Sequence, residues 1–104
     1  ARIAKFAEVS RFPAVRRDIA VIADEALPAQ ALLDTLRSTA PKNVIDIDLF
    51  DLYRGPGVEK GRKSLAFRVV MQDTSKTLAD EEIEAIRREL IASLTAKHNV
   101  QLRV

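Results

Sequence analysis

Asp51 and Tyr53 stand two residues apart, just ahead of a glycine-rich cationic loop, in the stretch LFDLYRGPGVEKGRKSLAFR from Leu49 to Arg68. A carboxylate can accept paired hydrogens from a base edge, and an aromatic ring can stack on a base. From Arg54 to Arg68 the cations Arg54, Lys60, Arg62, Lys63 and Arg68 face one carboxylate, Glu59. The local surplus of four positive charges exceeds the net charge of the whole chain, which is +2. Cations so concentrated suit phosphate groups. Ser64 and Arg68 belong to the next extended segment and would neighbour Asp51 and Tyr53. Tyr53 is the only tyrosine, and there is no tryptophan. The plainer alternative is a solvated strand end with an ordinary cross-strand charge pair.

Other chemistry is poorly served. The chain has no cysteine, which excludes disulfides, thiol nucleophiles and cysteine-based metal sites. His98 is the only histidine and falls where a helix should end, so it reads as a cap-region residue. No Ser/His/Asp set or carboxylate pair stands out. Asp46 and Asp48 read as solvent-side strand residues, and Asp80, Glu81 and Glu82 complement a helix dipole.

These groups must be positioned by a small set of elements. A chain of 104 residues that is 47% hydrophobic suits one domain with its own core. No apolar run approaches the roughly 20 residues of a membrane span, and the N-terminus has no signal-peptide pattern. The only methionine is Met71, so the chain reads as a segment of a longer protein. Residues 1–16 read as an extended lead-in. Arg17–Asp24 is a short apolar run bounded by charges, a buried strand. Pro28 suits a first helical position, Ala29, Leu32, Leu33 and Leu36 form an amphipathic stripe, and Pro41 ends it.

Asn43–Tyr53 alternates as a half-buried strand, with Ile45, Ile47 and Leu49 on one face and Asp46 and Asp48 on the other. Ser64–Asp73 alternates with Leu65, Phe67, Val69 and Met71 on one face. Thr77, three residues before Asp80, opens a capping-box-like helix start. Ile83, Ile86, Leu90 and Leu94 make the buried stripe of that helix, and Val100, Leu102 and Val104 alternate in a last strand. The order βαββαβ predicts an α+β, ferredoxin-like sandwich: a four-stranded antiparallel sheet with two helices on one face.

Strict alternation leaves a conflict. If Ile45, Ile47 and Leu49 face the helices, Asp51 and Tyr53 would too, and Phe50 and Leu52 would face out. A β-bulge near Leu49–Phe50 would turn Phe50 and Leu52 inward and present Asp51 and Tyr53 on the open face beside Ser64 and Arg68.

Four motifs then resemble one family in order. Phe12-Pro13 through Arg17-Asp18-Ile19 is similar to an F-P-x-x-x-R-D-[IL] opening, and Leu49-Phe50-Asp51-Leu52-Tyr53-Arg54-Gly55 to L-F-D-x-Y-x-G. Gly61-Arg62-Lys63-Ser64-Leu65-Ala66 resembles G-x-K-S-L-A, and Thr77 to Glu82 resembles T-L-x-D-E-E. These are motifs of the ferredoxin-fold anticodon-binding domain that ends the β subunit of bacterial phenylalanyl-tRNA synthetase. The resemblance covers residue 12 to the end and implies a domain over 12–104, with 1–11 a linker from a preceding domain. It implies binding of the anticodon stem-loop of phenylalanine tRNA, with no catalysis in this domain. Asp51 would read the first anticodon base, a guanine, Tyr53 would stack on it, and Ser64 would add a polar contact. Arg54, Lys63, Arg68 and Arg103 complete the candidate RNA-binding set, Arg103 by its open-face parity alone. The implied partners are the rest of the β subunit and the α subunit of a heterotetrameric, cytoplasmic synthetase, with no membrane. The domain itself needs no cofactor; ATP and magnesium belong to the parent enzyme.

Three other readings stand beside it. An interaction module would use the open sheet to dock another domain, and Ala66 and Val70 favour that, whereas Arg68, Gln101 and Arg103 favour RNA. Lys60-Gly61 with Phe67 echoes an RNA-recognition motif, but the exposed positions Ala66, Arg68 and Val70 carry no stacking aromatics. An acylphosphatase-like cradle would need an asparagine near the loop, and Asn43 and Asn99 fall at element ends.

Overall fold

The computed structural model describes residues 12–103. Six elements follow in the expected order: β1 (Val15–Asp24), α1 (Ala29–Thr39), β2 (Val44–Tyr53), β3 (Arg62–Met71), α2 (Asp80–Lys97) and β4 (Gln101–Leu102). The sheet runs β2-β3-β1-β4 with every neighbouring pair antiparallel. β1 begins two residues earlier than the apolar run suggests, because Val15 still pairs with Met71. The expected 1–11 linker and the expected strand residue Val104 lie outside the described residues.

Alternation makes the two layers. Ile19, Val21 and Ala23 of β1 and Leu65, Phe67, Val69 and Met71 of β3 are buried, together with Leu32 and Leu36 of α1 and Ile83, Ile86, Leu90 and Leu94 of α2. Both helical stripes are those the 3.6-residue period selects. The even-numbered residues of β1 and β3 face the other way and form the side of the sheet left uncovered among the described residues. Across the helix layer, His98 and Thr35 bond at 2.8 Å between Nε2 and Oγ1, while the His98 N–H donates to the Leu94 carbonyl. His98 thus closes α2 and ties it to α1, a structural role.

The helix ends differ slightly from expectation. Pro28 is the N-cap of α1, extended at φ −67° and ψ 138°, one residue before the helix. Ala40, extended ahead of Pro41, closes it. For α2 the cap is Ala79 and not Thr77. Ala79 offers no side-chain acceptor, so only half of a capping box forms: Glu82 Oε1 accepts the Ala79 N–H at 2.9 Å. Lys76 donates to the other oxygen of the same carboxylate. These two bonds, the backbone one foremost, hold the Glu82 carboxyl below the usual range. A depressed folded-state pKa means that the stabilisation is present above the ordinary carboxylate pKa and is lost as pH falls through the lower, folded value. Wild type should therefore be more stable than Glu82→Gln near neutrality, with the gap closing as pH drops below about 4.3, the ordinary glutamate value. Urea midpoints measured across that range check this, and a gap constant with pH would refute it.

β2 carries two register shifts against β3, between Val44 and Asp46 and between Leu49 and Asp51. The first has no counterpart in the sequence pattern and corrects the alternation assigned to the start of β2. Ile45 is the extra residue, 54% exposed, and Val44 takes its place against the core. The second is the bulge that the parity conflict demands, and it positions the site.

Candidate nucleic-acid interface

Past the second bulge, Asp51 pairs with Ala66, Leu52 with Leu65 and Tyr53 with Ser64. Directly paired residues share a face. Leu65 is fully buried, so Leu52 points at the core and packs there, while Asp51 and Tyr53 lie on the uncovered face. That matches expectation. Phe50 does not: the parity argument turns it inward, yet it is the residue inserted by the bulge and is 45% exposed. Leu49 before it and Leu52 after it both pack against the core. One extra residue between two inward positions leaves Phe50 and Asp51 together on the outer side. The Arg68 guanidinium sits 4.4 Å from the Phe50 ring centroid, in cation–π contact.

Tyr53 is held from both ends. Its hydroxyl donates to the Pro56 carbonyl at 2.8 Å, folding the ring over the start of the loop. Gly55, at φ +133°, passes so close that a Cβ there would lie 3.3 Å from the Tyr53 oxygen, which explains a glycine at this position. On the other side the Arg103 guanidinium lies 5.9 Å from the ring centroid and Arg103 Nη1 donates to Ser64 Oγ at 2.8 Å. The Arg103 backbone N–H bonds Ala20 O at 2.7 Å, extending the β4 attachment and holding the arginine on the open face, as its parity predicts. Ser64 is almost wholly buried beneath it and retains a hydroxyl hydrogen to donate. Asp51 is exposed and has no hydrogen-bond or ion-pair partner among the described residues, so its carboxylate is available.

The cations are less free than the sequence implies. Arg54 grips Glu25 through Nε at 2.6 Å and Nη2 at 2.7 Å, a bidentate pair that pulls the Glu25 carboxyl down and the Arg54 guanidinium up from their ordinary values. Arg68 pairs with Asp18 at 3.3 Å, and Arg62 donates to Ile22 O at 3.2 Å. The place expected for Lys63 is corrected: it pairs with Ala23 on the helix-covered face and is 5% exposed, so strand parity removes it from the surface that carries Asp51 and Tyr53. Lys60, at the loop, is exposed with no ion-pair partner among the described residues. Exposed ion pairs such as Arg54–Glu25 are held weakly and can exchange partners with an arriving phosphate.

Five of the seven candidates thus share one face: Asp51, Tyr53, Ser64, Arg68 and Arg103. Arg54 stands at its rim and Lys63 lies on the opposite face. Phe50 is the residue that sequence reasoning misses. Among the described residues no group of three or more His, Cys, Asp or Glu side chains could hold a metal, and no helix is long and apolar enough to cross a membrane.

The comparisons with known proteins bear on what this face meets. The beta subunits of phenylalanine–tRNA ligase from Dechloromonas aromatica (strain RCB) and Dickeya dadantii (strain 3937) are each 45% identical, over 99% and 93% of this chain and 13% and 12% of their own length. The beta subunit from Pseudomonas savastanoi pv. phaseolicola is 44% identical over 98% of this chain and 13% of its own. The chain spans about an eighth of the relatives it matches. A family model described as the ferredoxin-fold anticodon binding domain matches residues 10–103, nearly the full sequence, and the chain belongs to that family.

Proposed function

We propose that the chain is the anticodon stem-loop binding domain of a phenylalanine–tRNA ligase β subunit and holds phenylalanine tRNA for aminoacylation by the catalytic α subunit of a cytoplasmic heterotetramer. The observation that carries this is the pairing of an unpartnered carboxylate, Asp51, with a fixed ring, Tyr53, on the uncovered sheet face. A carboxylate facing the Watson–Crick edge of guanine accepts its N1–H and one amino hydrogen, and the ring beside it stacks on the base. Ser64 and Arg103 brace the ring. Arg54 and Lys60 are the phosphate contacts, Arg54 by exchanging Glu25 for a phosphate. Such a domain binds and positions; ATP and magnesium serve chemistry in the rest of the enzyme.

Docking of another protein domain on the open sheet is the second reading. Ala20, Ile22, Ala66 and Val70 supply half-buried apolar surface for it, but the charged side chains Arg16, Asp18, Arg68 and Arg103 surround that surface. The test is titration of the chain with an anticodon stem-loop of phenylalanine tRNA at low and moderate salt. Binding should weaken as salt rises, because phosphate contacts release counterions. Tyr53→Ala should cost about 1–3 kcal/mol, the usual worth of one stacked base. Binding indifferent to Tyr53 would favour the docking reading.

A further inference from the structure

The bulge in β2 turns out a second aromatic ring, and nothing in the Asp51–Tyr53 reading uses it. Phe50 is almost half exposed on the face that carries Asp51. A side chain that large is left outside the core at some cost to burial, since it removes little apolar surface from water. Arg68 stacks on the ring at 4.4 Å and is itself steadied by Asp18 across the strand pair. Rings and guanidinium planes are the two protein surfaces on which unpaired RNA bases stack, and here they are already layered.

We propose that Phe50 and Arg68 form a second base-stacking platform, which takes another unpaired base of the same RNA loop that Tyr53 engages. This rests on the anticodon-loop reading and extends it to a second nucleotide. An RNA base fits better than an apolar protein side chain, because the ring is capped by a cation. The Arg68 guanidinium would have to be desolvated against an apolar partner, whereas a base offers it a π-face. The platform is also continuous with Tyr53 on one strand. Three residues of strand span roughly 10 Å, well beyond the roughly 3.4 Å between stacked neighbours. The two rings therefore hold bases that are splayed apart and not stacked on each other, which is how single-stranded loops are read.

The test titrates the chain with the stem-loop and with versions lacking the base at one loop position at a time. Wild type is compared with Phe50→Ala, Phe50→Tyr, Phe50→Leu and Tyr53→Ala, with circular dichroism confirming that each folds. Phe50→Ala should weaken binding by about 5- to 150-fold, the span of one lost stacked base. Phe50→Tyr should retain affinity, and Phe50→Leu should behave like Phe50→Ala because it keeps apolar bulk without a ring. Removal of one particular loop base should cost wild type but not Phe50→Ala, and that position should differ from the one silenced by Tyr53→Ala. If Phe50→Ala binds like wild type while Tyr53→Ala is weakened, the second platform is overturned and the anticodon-loop reading survives. The platform is likewise overturned if Phe50→Leu keeps full affinity, or if both variants are silent to the same base. If wild type does not bind the stem-loop, both readings fail.

Discussion

Phe67→Ala lowers the unfolding free energy by about 3–5 kcal/mol, the range for deleting a buried aromatic side chain. Phe67 is the largest fully buried side chain among the described residues. It sits mid-way along β3, paired with Ile19 of β1 on one side and Leu49 of β2 on the other. Two ladders fix its backbone, so the sheet cannot collapse into the space left behind, and the cavity term adds to the lost transfer energy. For a domain whose total stability is of order 5–15 kcal/mol, that loss decides whether the variant folds at physiological temperature. Phe50→Ala is the matched control, one ring on the neighbouring strand but on the outer face. It loses a half-exposed ring and one cation–π contact, of the order of 1 kcal/mol. Urea unfolding followed by far-ultraviolet circular dichroism compares the two. Equal costs would mean that Phe50 shares the core and that the bulge places it wrongly.

That contrast between two phenylalanines also shows what the amino-acid pattern reveals and where it stops. The inward row Leu65, Phe67, Val69, Met71 and the helical stripe Ile83, Ile86, Leu90, Leu94 follow from periods of 2 and 3.6, and both are buried as those periods require. A bulge breaks the period without changing composition, so it is visible only as a conflict. The chain signals one such conflict at Leu49–Tyr53, because Asp51 is a poor core residue. It signals none at Val44–Asp46, where Val44 and Ile45 are equally apolar and either could face inward. The conflict locates a bulge but leaves open which residue it expels. Hydrophobicity alone favours placing Phe50 inward, yet Leu49 already fills the neighbouring core position. The charge pattern misleads in a different way. Arg54 and Arg68 lie in a run of cations, but Glu25 and Asp18, distant in sequence, reach them across the sheet. Lys63 is adjacent in sequence to Ser64 and on the other side of the sheet for that reason alone.

If Asp51 reads guanine as proposed, Asp51→Asn should reverse the base preference from guanine to adenine at that loop position. An aspartate offers only acceptors, which match the N1–H and amino hydrogens of guanine. An asparagine offers one acceptor and one donor set, which match the amino group and the bare N1 of adenine. Against guanine held in the register that Asp51 uses, on N1–H and the 2-amino group and away from O6, its amide N–H₂ would face an N–H group, and one hydrogen bond would be lost while donors are left opposed. A bidentate side-chain-to-base match discriminates by about 1–3 kcal/mol, so each form should favour its own base by that amount. The direction separates base reading from simple electrostatics. Asp51 carries a negative charge beside a phosphate-rich ligand, so removing it should strengthen binding to every loop alike if charge were all that mattered. Base reading requires instead that Asp51→Asn bind the guanine loop more weakly than wild type and the adenine loop more tightly. Stem-loops differing only at the first anticodon base, titrated against both proteins at one salt concentration, give the four affinities needed. A uniform gain would show that Asp51 merely repels the backbone. The crossed pattern requires its carboxylate to touch a base edge, which the open face permits because the bulge at Phe50 turns Asp51 outward and no cation among the described residues claims it.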